Sequence, residues 1–176
     1  MTNTDSLDKI LILDFGSQYT QLIARKIREQ KVYCEIHPFN YSVEKIKEFS
    51  PKGIILSGGP SSVYGKDAPI IGKEVLELGI PVLGICYGMQ LISHLLGGRV
   101  FSSDKREYGR TEIQILADKA IFEGFDTNQK KTVWMSHGDK IEQLPEGFEV
   151  LAKTDNTPYC AAADFTRRLY TVQFHP

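Results

Sequence analysis

The stretch Ile80-Pro-Val-Leu-Gly-Ile-Cys-Tyr-Gly-Met-Gln90 runs an apolar, partly β-branched strand directly into a glycine-flanked cysteine and then into a helix. Gly84 and Gly88 stand two residues either side of Cys86. That is the spacing of a sharp strand-to-helix turn, in which a bulkier residue at either glycine would keep strand and helix apart. Such a turn puts the thiol at a helix N-terminus, where the positive end of the helix dipole and its unpaired N–H groups favour thiolate. A buried cysteine in a glycine-rich turn is also an ordinary structural residue. Its reading as a nucleophile therefore depends on what the rest of the chain brings to the same place.

Working outward, Gly53-Ile-Ile-Leu-Ser57 reads as a strand that ends in Gly58-Gly59-Pro60, a run with little side-chain cover over its amides. If this strand lies parallel to the cysteine strand, both turns open at the edge where open α/β sheets bind ligands. The amides of Gly59 and Tyr87 would then form an oxyanion hole. Before it come a strand (Lys9–Leu13), a turn (Asp14–Ser17), an amphipathic helix (Tyr19–Glu29), a strand (Val32–Ile36) and a helix (Val43–Phe49). A third helix, Ile70–Leu78, precedes the cysteine strand, and the helix after Cys86 stops at Gly97-Gly98. Alternation of strand and helix predicts right-handed βαβ units: an α/β fold with an open, mostly parallel sheet and helices on both faces. Beyond Gly98 short candidate strands (Thr111–Leu116, Thr132–Met135, Phe148–Ala152, Tyr159–Asp164, Leu169–Phe174) alternate with polar turns, giving a β-rich C-terminal half. No repeat, low-complexity tract or linker divides the chain, so one domain over residues 1–176 is expected.

The 176 residues suffice for one well-buried core, and 21 basic against 22 acidic residues leave a net charge near −1. This balance offers no footprint for nucleic acid or an anionic membrane, and suits small neutral or zwitterionic ligands. The polar opening Met-Thr-Asn-Thr-Asp-Ser and the lack of an apolar run near the ~18 residues of a span predict a soluble, cytoplasmic protein. Cys34, Cys86 and Cys160 are too widely spaced for a zinc cluster and odd in number for a disulfide framework, so reduced thiols and no metal site are expected.

A nucleophilic cysteine needs a base in hydrogen-bond reach. His94 lies eight residues down the helix, about 12 Å at 1.5 Å per residue, too far from Cys86. His37 ends the second strand with no evident carboxylate beside it. His137, in Met-Ser-His-Gly-Asp139, sits in a polar turn suited to binding or catalysis. His175 sits at the carboxyl end of the last strand, where active-site groups of such sheets gather. Residue physics leaves both His137 and His175 open.

Five segments together resemble the class I (triad) glutamine amidotransferases, which are flavodoxin-like in architecture, and within them the glutaminase domains of the GMP synthetases. They are Ile12-Leu-Asp-Phe-Gly-Ser-Gln-Tyr-Thr-Gln-Leu-Ile-Ala-Arg25, Leu56-Ser-Gly-Gly-Pro-Ser-Ser-Val63, Gly84-Ile-Cys-Tyr-Gly-Met-Gln90, Ser136-His-Gly-Asp139 and Gln173-Phe-His-Pro176. The resemblance implies that Cys86 is the nucleophile, His175 its general base and acid, and Gly59 and Tyr87 the oxyanion donors. It implies glutamine binding by Gly58, Gln90, Ser136, His137 and Asp139. It further implies glutamine hydrolysis through a Cys86 thioester, supplying ammonia to a synthetase partner that converts xanthosine monophosphate to GMP in purine biosynthesis. No cofactor is expected for this chain; ATP and Mg²⁺ belong to the full-length enzyme, expected to be a homodimer.

The chain departs from the family pattern at its end. The family motif continues His-Pro-Glu, and the Glu that orients the histidine would follow Pro176. The chain is thus expected to be a fragment, without the ATP pyrophosphatase and dimerisation domains, and with a frayed end that leaves the His175 imidazole free to rotate. Competing readings are an amidotransferase serving anthranilate or carbamoyl phosphate synthesis, a cysteine peptidase or thiol hydrolase on the same elbow, and a regulatory module with a dead site.

Overall fold

Alternation within the first strand sets the layers. In β1 (Lys9–Asp14) Leu11 and Leu13 face one side of the sheet, while Ile10 and Ile12 face the other. The computed structural model describes residues 7–176, so the polar opening read at residues 1–6 lies outside them. On one face, α1 (Thr20–Glu29) packs Ile23, Ala24 and Ile27 against Ile12. On the other, α2 (Val43–Phe49) contributes Ile46, and α3 (Tyr87–Leu95) contributes Met89, Leu91 and Ile92 to the cluster around Leu11 and Leu13. Ser42 caps α2 by accepting from the Lys45 N–H at 3.3 Å.

β1 pairs in parallel with β2 (Tyr33–Pro38) and β3 (Gly53–Leu56), β3 with β4 (Val82–Ile85), and β4 with the last strand, β9 (Leu169–Val172). The remaining pairs are antiparallel: β9 with β8 (Ala161–Asp164), β8 with β7 (Glu149–Lys153), β7 with β5 (Arg99–Ile115), and β5 with β6 (Lys130–Gln143). The result is one nine-stranded mixed sheet in the order β2-β1-β3-β4-β9-β8-β7-β5-β6, with a parallel core and a β-rich C-terminal half. β9 is the seam between the two halves. Its register sets Ile85 opposite Val172, so Cys86 and Gln173 leave the sheet side by side.

Two expectations are corrected. Ile70–Leu78 is not an α-helix but carries a 3₁₀ turn over Lys73–Glu77. Extended Gly72 before it and Gly79 at φ +74° after it leave too few residues for α-helical turns to propagate. The short strands expected at Thr111–Leu116 and Thr132–Met135 belong to a hairpin of 17- and 14-residue strands. Its inner part, Ser102-Ser-Asp-Lys-Arg-Glu-Tyr108, is polar and mostly exposed, and the register shifts between Ser102 and Glu107. No apolar alternation marks such a strand.

Candidate active site

β3, β4 and β9 lie side by side and release Gly58-Gly59, Cys86 and Gln173–His175 at the same sheet edge. The elbow geometry accounts for its glycines. A Cβ on Gly84 would lie 2.7 Å from the Gly88 backbone, and one on Gly88 would lie 2.4 Å from the Leu56 carbonyl oxygen. Cys86 itself has φ +55° and ψ −109°, a conformation that side-chain-bearing residues avoid and that functional turns impose. Its backbone N–H donates to Val172 at 2.8 Å, locking the turn to β9.

The Cys86 thiol donates to the Ser136 carbonyl at 3.5 Å, and the Gln173 Nε2 donates to the sulfur at 3.6 Å. Burial pushes the thiol up to about 11, although the Tyr87 N–H and the Gln173 amide act to lower it. The Asp139 charge adds to the rise. This corrects the thiolate reading: one helix terminus does not offset desolvation, so the resting group is a thiol and needs a base.

The His175 imidazole supplies one at the right place. Its Cε1 and the Cys86 Cβ both lie 3.3 Å from where a Gly58 Cβ would stand, so the two side chains flank one stretch of bare backbone. The His175 backbone N–H donates to the Trp134 carbonyl at 2.9 Å, tying this segment to β6, and the imidazole packs on Tyr19 with ring centroids 4.5 Å apart. Burial, with a further contribution from His137, lowers its pKa below the usual value. At neutral pH the ring is therefore a free base.

His137 has no such freedom. It is buried, with Nδ1 2.9 Å from the Asp139 carbonyl oxygen and Nε2 2.9 Å from Glu107 Oε2. Both ring nitrogens are thus engaged by partners other than Cys86. Glu107 is buried too, and burial alone would raise it. Hydrogen bonds from His137, Thr157 and Thr154, with the His137 charge, instead hold it down to about 2. This buried pair ties β5, β6 and the loop after β7 together behind the Ser136–Asp139 segment.

A cavity of about 460 Å³ opens in front of the thiol, lined in part by Gly59, Cys86, Gln90, Ser136, Asp139 and His175. Arg106 and Asp139 put both charge signs into this one space. Gln90 is buried, and its Nε2 donates to the Asp139 carbonyl at 3.2 Å and to Gln173 Oε1 at 3.4 Å. Its carbonyl oxygen is the end left for a ligand. Gly59 is held tightly: a Cβ there would fall 2.2 Å from the Phe15 carbonyl oxygen. The Phe15 N–H in turn donates to Ser57 Oγ at 3.0 Å.

The other two histidines stand elsewhere. His94 meets Tyr64 edge-on, with ring centroids 5.4 Å apart. His37 stacks on Tyr41, and its Nε2 lies 3.6 Å from Glu35, a carboxylate the sequence reading did not place beside it. Sequence reasoning also assigned no role to Tyr19, Arg106, Glu107 or Gln173. Gln173 had a signal in its place two residues before His175 in the Gln173-Phe-His-Pro176 segment. Among the described residues no cluster of three or more His, Cys, Asp or Glu could hold a metal ion, and no helix is long and apolar enough to cross a membrane.

The comparisons with known proteins agree with this geometry. Residues 11–176 match the family "Glutamine amidotransferase class-I". The chain is 58% identical over 172 residues to GMP synthase [glutamine-hydrolyzing] of Brachyspira hyodysenteriae, covering 98% of this chain and 33% of that protein. The enzyme of the same name from Campylobacter lari is 57% identical over 167 residues, covering 95% and 32%. The chain thus spans about a third of the length of these curated relatives. A crystal structure from Thermoplasma acidophilum, named for a GMP synthase subunit, superposes with TM-score 0.88 at 30% identity, covering 97% of this chain and 84% of that one. A glutamine amidotransferase of Thermotoga maritima, 20% identical, shares the fold at TM-score 0.74 over 96% of this chain and 75% of its own. With its elbow, its cavity and nearly its whole length accounted for in these terms, the chain belongs to the class I glutamine amidotransferase family.

Proposed function

We propose that this chain hydrolyses the side-chain amide of glutamine, with Cys86 as nucleophile and His175 as general base and acid. The carrying observation is the placement of a buried thiol and an imidazole beside the same bare backbone at Gly58, both lining a cavity that offers both charge signs. The Cys86 proton passes to His175 as sulfur attacks the carboxamide carbon. A C–S bond forms, and the oxyanion takes hydrogen bonds from the Gly59 and Tyr87 amides. Collapse breaks the C–N bond, and His175 returns the proton to the departing ammonia. Water then attacks the thioester, giving up its proton to His175. The C–S bond breaks, releasing glutamate and restoring the thiol. Asp139 suits the substrate ammonium, Arg106 its carboxylate, and the Gln90 carbonyl the amide N–H; Gly58, Ser136 and His137 shape the walls around them.

The ammonia is proposed to serve a synthetase module with ATP and Mg²⁺, aminating xanthosine monophosphate to GMP in a homodimeric, cytoplasmic enzyme. The names and the identity of the relatives favour this acceptor over anthranilate or carbamoyl phosphate chemistry. The test is to follow glutamate and ammonia released from glutamine. Equal amounts are expected from the unaltered chain. Cys86→Ala and His175→Ala should release neither, whereas peptides and γ-glutamyl peptides should be poor substrates. Preferred cleavage of a peptide would contradict the proposal.

A further inference from the structure

We propose that Gln173 is a further catalytic residue, donating a side-chain N–H to the Cys86 sulfur so that the amide stabilises the thiolate during attack and again when sulfur leaves the thioester. This inference rests on the reading of Cys86 as nucleophile. Gln173 follows β9, is fully buried, and receives no solvent. A buried amide is costly at a position where leucine or methionine would fit, unless its bonds return that cost.

The direction of the amide follows from a fixed point. The Asp139 carbonyl can only accept, so the Gln90 group facing it at 3.2 Å is its NH₂. That same Nε2 faces Gln173 at 3.4 Å, which must therefore turn Oε1 toward it. The remaining end of Gln173, its NH₂, lies 3.6 Å from sulfur. A chain of side chains thus runs from the β6 backbone through Gln90 to the reacting atom, and Gln90 also borders the cavity. Hydrogen bonds to a charged acceptor are about twice as strong as neutral ones, so this contact gains strength as the thiol loses its proton. The same amide acts to lower a thiol that burial has raised.

The titratable and charged groups that share this cavity are His175 after β9, His137 and Asp139 on β6, Arg106 and Tyr108 on β5, and Tyr19 before α1. The test reads the sulfur itself. Alkylation of Cys86 by iodoacetamide is followed from pH 7.5 to 9.5, below the thiol midpoint, by peptide mass spectrometry, alongside glutamine turnover. In Gln173→Met, of similar volume, the alkylation rate at a given pH should fall about tenfold, as for tenfold less thiolate. Turnover (kcat) should fall about tenfold with KM little changed, as for a contact that strengthens in the transition state. Gln90→Leu, which removes the lock on the amide, should slow alkylation the same way by less.

A readout on the unsubstituted chain covers the case of a variant that fails to fold. The Gln173 side-chain amide protons should titrate in NMR with the Cys86 midpoint and cease to do so in Cys86→Ala. An unchanged alkylation profile in folded Gln173→Met, or Gln173 amide signals blind to the Cys86 titration, would overturn the inference. If Cys86→Ala kept full turnover, the proposed function would fail instead.

Discussion

At the residue scale the site depends on atoms that are missing or shifted in charge. Gly58 is needed because a Cβ would stand 3.3 Å from both Cys86 and His175. Gly58→Ala should wedge them apart by a few tenths of an ångström and lower kcat about 10²-fold, the scale of a misplaced reacting group, with the far-UV dichroism unchanged. Steady-state kinetics beside the spectrum decide it, and full activity would contradict a shared role for the two groups that flank Gly58. His175 carries a second prediction. A histidine whose folded pKa is lowered remains an available base to more acid pH than usual. The acid limb of kcat/KM should therefore fall below pH 6.5, and a limb at or above that value would place another group in the role.

At the element scale, the elbow and the hairpin do different work. The elbow depends on close approach of β4, β3 and α3. Gly88→Ala sets a methyl 2.4 Å from the Leu56 carbonyl, backbone against backbone, and should destabilise by about 3 kcal/mol in thermal or urea unfolding. The hairpin depends on the buried Glu107–His137 pair. Glu107, held down to about 2 against its ordinary 4.5, contributes stability that is fully present above about pH 4.5 and lost as pH falls toward 2. Glu107→Gln removes the carboxylate that His137, Thr154 and Thr157 surround, so it should cost about 2 kcal/mol at pH 7 and flatten the acid-unfolding curve between pH 5 and 3. Denaturant titrations across that range check both statements. The elbow was legible because its glycines and cysteine keep a fixed spacing along one stretch. The hairpin was not, because Glu107 lies in a polar run and finds His137 only after 30 residues and a register shift.

At the scale of the whole molecule, the sheet order explains how residues far apart in sequence come to share one cavity. The chain leaves the parallel core after β4, builds an antiparallel half, and returns as β9 into the slot beside β4. Cys86 and His175 reach one cavity for that reason. The βαβ units were readable from periodicity, with α2 found at Val43–Phe49 as expected. The return of β9 beside β4 was not, since nothing local in Leu169–Val172 names its neighbour. The choice between His137 and His175 was hidden for the same reason: it rests on partners contributed by β5 and β6. The central claim is that Cys86, alone among Cys34, Cys86 and Cys160, forms a covalent bond at the carbon of a glutamine side chain. Its most direct test is a diazo-ketone analogue of glutamine, followed by intact-mass and peptide mass spectrometry. One adduct is expected, on the Cys86 peptide, slowed by excess glutamine and lost in Cys86→Ala. An adduct that forms first on Cys34 or Cys160, or that glutamine does not slow, would contradict it.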